Sequence, residues 1–183
     1  MKKAFFLASI LFISVISTAC INNFAVQELN NKAKDFMDKG DYISAIERLK
    51  SSVDLDDSVF ETQYNLAVAY TKAEDYANAI SVYNDAIKLN PDFADAYYSL
   101  AVCEENLAKD IISGDVVVNE DGSYEKASED DEKEDLSEKA KSTVATLLND
   151  AISDYSVYSQ KSSNADIEEK TEELQSLLEK YSK

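Results

Sequence analysis

The chain has no histidine and no tryptophan among its 183 residues, and only three glycines, one proline and two cysteines. Each scarcity removes a class of chemistry. Without histidine there is no Ser-His or Cys-His pair to activate a nucleophile. Gly40, Gly114 and Gly122 stand far apart and build no phosphate-cradling loop. Cys20 and Cys103 are too few for a disulfide framework, and the surroundings of Cys103 are those of a small buried hydrophobe. Positive charge is short as well: 18 Lys and Arg stand against 36 Asp and Glu, a formal net charge of −18. A phosphate backbone or an anionic headgroup surface would repel such a chain, so nucleic acid is not an expected partner. Carboxylates are plentiful. They are expected on repeat surfaces or in a solvated insert, where desolvation could not drive two pKa values apart for acid–base work. No catalytic residue, no cofactor and no metal ligand set is expected, and the protein is read as a non-enzyme.

What is present begins with the N-terminus. Lys2 and Lys3 precede an apolar stretch from Ala4 to Ser17, shorter than the roughly 20 residues that span a bilayer. "STAC", Ser17 to Cys20, follows it. Basic start, short apolar run, small residues and cysteine together resemble a bacterial lipoprotein signal, although Ser17 stands where that family usually has Leu, Val or Ile. The resemblance implies removal of residues 1–19 and acylation of Cys20 as the new N-terminus. It implies a protein anchored in the cell envelope by fatty acyl chains such as palmitate. Ile21 follows the cysteine in place of an inner-membrane retention aspartate, which favours the outer membrane in a cell that has two. The same small residues also suit ordinary secretory cleavage ahead of Cys20, giving a soluble periplasmic or secreted protein.

Beyond a short linker, 20–25, the chain repeats itself at a 34-residue interval. "DYISAIERLKSSVDLDD" (41–57) and "DYANAISVYNDAIKLNP" (75–91) follow one plan, with Ala33 falling on Ala67 and Phe36 on Tyr70 upstream. Each unit reads as two helices, 26–39 with 42–55 and 60–73 with 76–89. Alanines at 67, 79 and 86 permit close helix approach, and Tyr70 and Tyr83 fill the space left over. One such hairpin cannot cover its own apolar face, so units must stack. The second unit, Gln63-x2-Leu66-Ala67-x2-Tyr70, Ala79-x3-Tyr83 and Pro91, resembles the tetratricopeptide repeat, differing mainly in Gln63 for the usual tryptophan. In the first unit Lys32 and Asp57 depart from that pattern. The resemblance implies an all-α solenoid of helical hairpins.

A third unit starts at Ala94, with Glu104 in the place of Phe36 and Tyr70, and the first helix is expected to end near residue 108. Its second helix resumes about 31 residues late, at 139–160, with Val144, Leu148 and Ala151 in the places of Ala79, Tyr83 and Ala86. The insert, 109–138, is expected to be flexible. Its first half could form a small hairpin; its second half is acidic and solvated. Asn119-x-Asp121-Gly122 imitates an EF-hand centre, but Val117 and Ser128 occupy the end-ligand places, so calcium is not expected there. Residues 163–183 read as a capping helix, with Ser163-x-x-Asp166 as a capping box and an apolar face of Ile167, Leu174, Leu177, Leu178 and Tyr181.

In tetratricopeptide proteins the first helix of each unit lines a groove that holds a peptide or a partner helix. Helical phase puts Asn30, Lys34, Tyr64, Asn65, Val68, Tyr98 and Val102 on that face. Asparagines can bond a peptide backbone, and tyrosines offer apolar area with a hydroxyl. Chaperone-binding relatives use a basic clamp there; Asp95 and Ser99 stand where its later basic residues would be, so that specificity is not expected. The reading is an envelope-anchored adaptor for an unidentified protein or peptide. Two alternatives stay open: docking into an envelope complex through the convex face or C-terminal helix, and a groove whose Tyr64 and Tyr98 pack against neighbouring units or under the C-terminal helix.

Overall fold

In the computed structural model the described residues, 22–128, 135–162 and 167–182, form seven helices and one two-stranded hairpin. Helix α1 runs over 22–37, α2 over Tyr42–Leu55, α3 over Phe60–Lys72, α4 over Tyr76–Leu89 and α5 over Ala94–Ser113. Strands β1 (Val116–Val118) and β2 (Tyr124–Lys126) come next, then α6 (Glu138–Ser162) and α7 (Ile167–Tyr181). The signal-peptide, Cys20 and capping-box readings fall outside the described residues.

The two repeats agree in backbone detail as well as in sequence. Asp41 and Asp75 cap α2 and α4, their side chains accepting from Ser44 N (3.1 Å) and Asn78 N (3.2 Å). The turns ahead of them share a bond, Asp41 N to Phe36 O and Asp75 N to Tyr70 O. Each turn needs one left-handed residue. Gly40 supplies it at φ +74°, whereas in the second unit Glu74 takes φ +60° with a side chain attached. A left-handed non-glycine residue costs roughly 1–2 kcal/mol, part of which glycine's greater unfolded freedom offsets. Glu74→Gly is therefore expected to raise the unfolding free energy from a urea melt modestly, by about 0.5 kcal/mol.

Core residues fall into three layers, each shared between successive hairpins. Ala33, Ala45, Leu49, Leu66 and Ala69 join α1 and α2 to α3. Ala67, Ala79, Tyr83, Leu100 and Cys103 join α3 and α4 to α5. Ala101, Leu107, Ile111, Val144, Leu148, Ala151, Tyr155 and Leu174 join α5, α6 and α7. Alternate positions on α3 and on α5 thus serve two layers, which is why no unit is complete without its neighbour. Val144, Leu148 and Ala151 are fully buried, as are Ala79 and Ala86, their counterparts one unit earlier. Tyr70 touches both of the first two layers. Tyr97 instead stays at the edge, its hydroxyl donating to Pro91 O at 3.2 Å.

The insert departs from its expected boundaries. Helix α5 continues past 108 to Ser113 because Ile111 is drawn into the third layer, and Gly114 ends it at φ +78°. β1 and β2 pair antiparallel with Val117 opposite Glu125, and Val116 and Val118 lie on that same layer. Residues 109–128 therefore hold the end of α5 and the hairpin expected in the first half of the insert; within the insert, residues 129–134 are not described. At the turn, Asp121 accepts from Ser123 N and Oγ, occupying its carboxylate locally. Helix α1 likewise starts at 22, inside the span expected to be linker.

Candidate functional site

The sequence-derived groove residues lie on α1, α3 and α5, but in unlike surroundings. Asn30 is half-buried and donates to Thr62 Oγ1 at 2.8 Å, tying α1 to α3, while its own carbonyl oxygen is buried without a partner. Lys34 is exposed and paired with Asp38 at 2.7 Å. Asn65 is exposed; Val68 and Val102 are half-buried against the second and third core layers.

The two tyrosines are partly occupied. Tyr64 stacks on Phe60 (5.9 Å between centroids), meets Phe93 edge-on at 5.1 Å and touches Tyr83 at 5.8 Å. This four-ring cluster spans α3, α4 and the start of α5, and such contacts stabilise beyond area burial. Tyr98 sits edge-on to Tyr155 (5.7 Å) and tilted over Tyr158 (5.1 Å) of α6, yet 42% of it remains exposed. Tyr64 is thus mainly a packing residue, and Tyr98 a supported ring that keeps a free face. α7 packs along α6 and reaches the α5 face through Lys170, which pairs with Glu105 at 2.9 Å.

Sequence reasoning missed the charged groups inside the third unit. Glu104, the residue in the aromatic place, is buried between α5 and α6. Burial first, then the neighbouring Asp154 and Asp150 carboxylates, push its pKa up to about 9, so at neutral pH it carries a proton toward Asp154. Burial and Asp150 raise Asp154 to about 6. The expectation that no two acids would be separated in pKa is therefore overturned: helix α6 brings one acid against another in a desolvated seam. Glu104 is closed to any substrate, with Oε2 buried and unpartnered. Its departure from the repeat pattern was the available signal.

Glu105, one residue on, is the opposite case. Burial alone would raise its pKa, but Lys109 (2.6 Å), Lys170 (2.9 Å) and the Tyr155 hydroxyl (2.9 Å) outweigh it and hold the group below its usual value. Cys103 accompanies Thr71 at 3.2 Å, and burial pushes its thiol up to about 11, which leaves it unreactive. Among the described residues no group of three His, Cys, Asp or Glu could hold a metal ion, and no helix is long and apolar enough to cross a membrane.

Comparison with known proteins agrees with this geometry. Residues 69–103, from α3 into α5, match the family model described as TPR repeat, the tetratricopeptide repeat. A curated relative, the BBSome complex member BBS4 homolog of Drosophila melanogaster, is 36% identical over 78 residues, 43% of this chain and 16% of the fly protein. The chain therefore spans only a small part of that relative's length. Among solved structures, the first TPR of Spaghetti (RPAP3) bound to the HSP90 peptide SRMEEVD has a TM-score of 0.57 at 19% identity, covering 84% of this chain and 92% of that one. The TPR domain of Arabidopsis OM64 also has a TM-score of 0.57, at 11% identity, covering 87% and 98%. The fold is an all-α, TPR-type helical solenoid.

Proposed function

We propose that this TPR-type solenoid is a protein–protein interaction adaptor that holds a partner segment on the shared face of α1, α3 and α5. The observation that carries the reading is Tyr98: an aromatic ring braced from beneath by Tyr155 and Tyr158 and still open to solvent. A braced, half-exposed tyrosine loses little side-chain freedom when a ligand covers it. The Spaghetti domain, of like fold, carries its peptide in the solved structure. Peptide capture by this chain is an inference from fold and surface together.

Tyr98→Ala, alone and with Tyr64→Ala, tests the reading. Each is expected to weaken partner binding at least about tenfold, a loss of roughly 1.4 kcal/mol or more. The single variant should melt somewhat below wild type, because Tyr98 covers Tyr155 and Tyr158, and the double variant lower still because Tyr64 belongs to the four-ring cluster, so binding is compared well below both midpoints. Full retention of the partner would move the interface to the helices of the opposite layer. One observation favours that second reading: Leu55 and Leu89, one repeat apart, are each 41% exposed, and Ile43 is 65% exposed.

The adaptor works, in this proposal, from the bacterial cell envelope, held by lipid on Cys20 and facing the periplasm or the cell surface. Two or three acyl chains make attachment effectively permanent at about 0.8 kcal/mol per buried methylene. Cells fed an alkyne-tagged fatty acid are expected to label the wild-type chain and not Cys20→Ser. An unlabelled wild-type chain recovered in the soluble fraction would favour the exported soluble form.

A further inference from the structure

We infer that the α3–α5 face takes a basic peptide segment, its lysine or arginine side chains paired with Glu61 and Asp95 and lying along Tyr64 and Tyr98. The inference rests on the groove reading above and adds the chemistry of the partner.

Glu61, Tyr64 and Val68 form one stripe on α3, at spacings of three and four residues, and Asp95, Tyr98 and Val102 form the same stripe on α5 exactly one repeat later. Stacking explains the recurrence of Leu66 as Leu100 and of Ala67 as Ala101, because these are buried between units. Ring packing likewise accounts for Tyr64 and for the covered side of Tyr98, but neither accounts for an exposed acid one turn before each tyrosine. Nor is the stripe a residue of duplication alone, since its neighbours have diverged: Asn65 became Ser99, Thr71 became Glu105 and Lys72 became Asn106. The two acids sit in the first turns of their helices, where the helix dipole favours negative charge, so the fold tolerates them without a counter-ion. Among the described residues neither enters an ion pair. Lys161, the cation that reaches this end of α5, is engaged by Asp92 and the Tyr97 ring. Lys34 is held by Asp38, and Lys72 lies about 16 Å along α3 from Glu61 at 1.5 Å per residue.

The molecule already shows what an acid beside a tyrosine receives. Lys161 pairs with Asp92 at 3.3 Å while its ammonium lies over the Tyr97 ring at 5.6 Å. Glu61 with Tyr64 and Asp95 with Tyr98 set an acid one helical turn from a tyrosine twice more, and among the described residues no lysine pairs with either acid. An acidic segment would be repelled at both places.

Three synthetic peptides of equal length and leucine content, with lysine, glutamine or glutamate at alternate positions, test this by fluorescence anisotropy on the full chain. Lysine peptide is expected to bind about tenfold or more tighter than the glutamine peptide. That advantage should vanish in Glu61→Gln/Asp95→Asn. It should persist in Glu47→Gln/Asp54→Asn, which removes the same charge from exposed positions on α2, and circular dichroism melts confirm that both fold. Equal losses in the two variants would overturn the inference as general charge attraction. Tyr98-dependent binding of the glutamine or glutamate peptide at equal or greater strength would overturn it and leave the groove reading standing. Absence of any Tyr98-dependent binding would overturn both.

Discussion

Glu104→Gln is expected to stabilise the protein, raising its melting temperature at pH 7 by roughly 7–14 °C. An unfolded Glu104 ionises near its ordinary 4.5, whereas the folded one keeps its proton to about 9. Between those values the folded chain holds one more proton than the unfolded chain, so stability falls as pH rises through the window. At pH 7 the cost is about 3.5 kcal/mol, at about 1.4 kcal/mol for each of the roughly 2.5 pH units above 4.5. Glutamine is neutral at every pH, fits the same space, and its amide can donate to Asp154 as the protonated acid does. The gain should therefore shrink toward zero near pH 4.5, and the variant's melting temperature should vary less than wild type's between pH 5 and 8. Asp154 contributes a smaller fall of the same sign between its ordinary 3.8 and about 6. Thermal melts at pH 5, 6, 7 and 8 measure all of this; a destabilised variant, or an unchanged pH slope, would contradict the buried protonated acid.

The neighbouring substitution is expected to act in the opposite sense. Glu105→Gln should lower stability by about 2 kcal/mol at pH 7, or roughly 4–8 °C. Glu105 is ionised in the fold, and its carboxylate joins three helices: Lys109 on α5, the Tyr155 hydroxyl on α6 and Lys170 on α7. Both lysines are half-exposed, so solvent screens their share and the figure stays below that for a fully buried ion pair. Because its folded pKa is depressed, Glu105 adds stability above its ordinary 4.5 that is lost as pH falls below it. The variant should accordingly lose the part of wild type's acid-side decline that this group supplies. Protease cleavage after Lys180 or within α7 should also quicken, since Lys170 is the polar tie holding that helix to the α5 face.

That two adjacent glutamates differ so much could not be read from the chain. Glu104 was visible as a polar residue in an aromatic place. Its partner Asp154 stands fifty residues away beyond an insert that hides the phase of the second helix, and nothing local marks them as neighbours. Glu105 has its partners four, fifty and sixty-five residues on. The stacking itself was legible because it is written in short-range spacing: Ala67, Ala79 and Ala86 are wholly buried where close helix approach requires small side chains. Val144, Leu148 and Ala151 could be aligned across the insert for the same reason. The hairpin was legible in the β-branched run and glycine turn of 114–126, whereas the extension of α5 and the packing of that hairpin were masked by acidic composition, which argues for solvation while Ile111, Val116 and Val118 argue for burial. On the candidate face, helical phase gave the stripe but not its occupancy. Phe60 on α3 and Phe93 at the start of α5, which pack on Tyr64, belong to successive repeats and meet only once the units stack.

The central claim is that the α3–α5 face, and not the opposite layer, holds the partner. A photo-crosslinking amino acid placed at Tyr98, and separately at Ile43, reads this directly in cells expressing the full chain. Adducts from the Tyr98 position with none from Ile43 are the predicted result. Adducts confined to Ile43 would contradict the account.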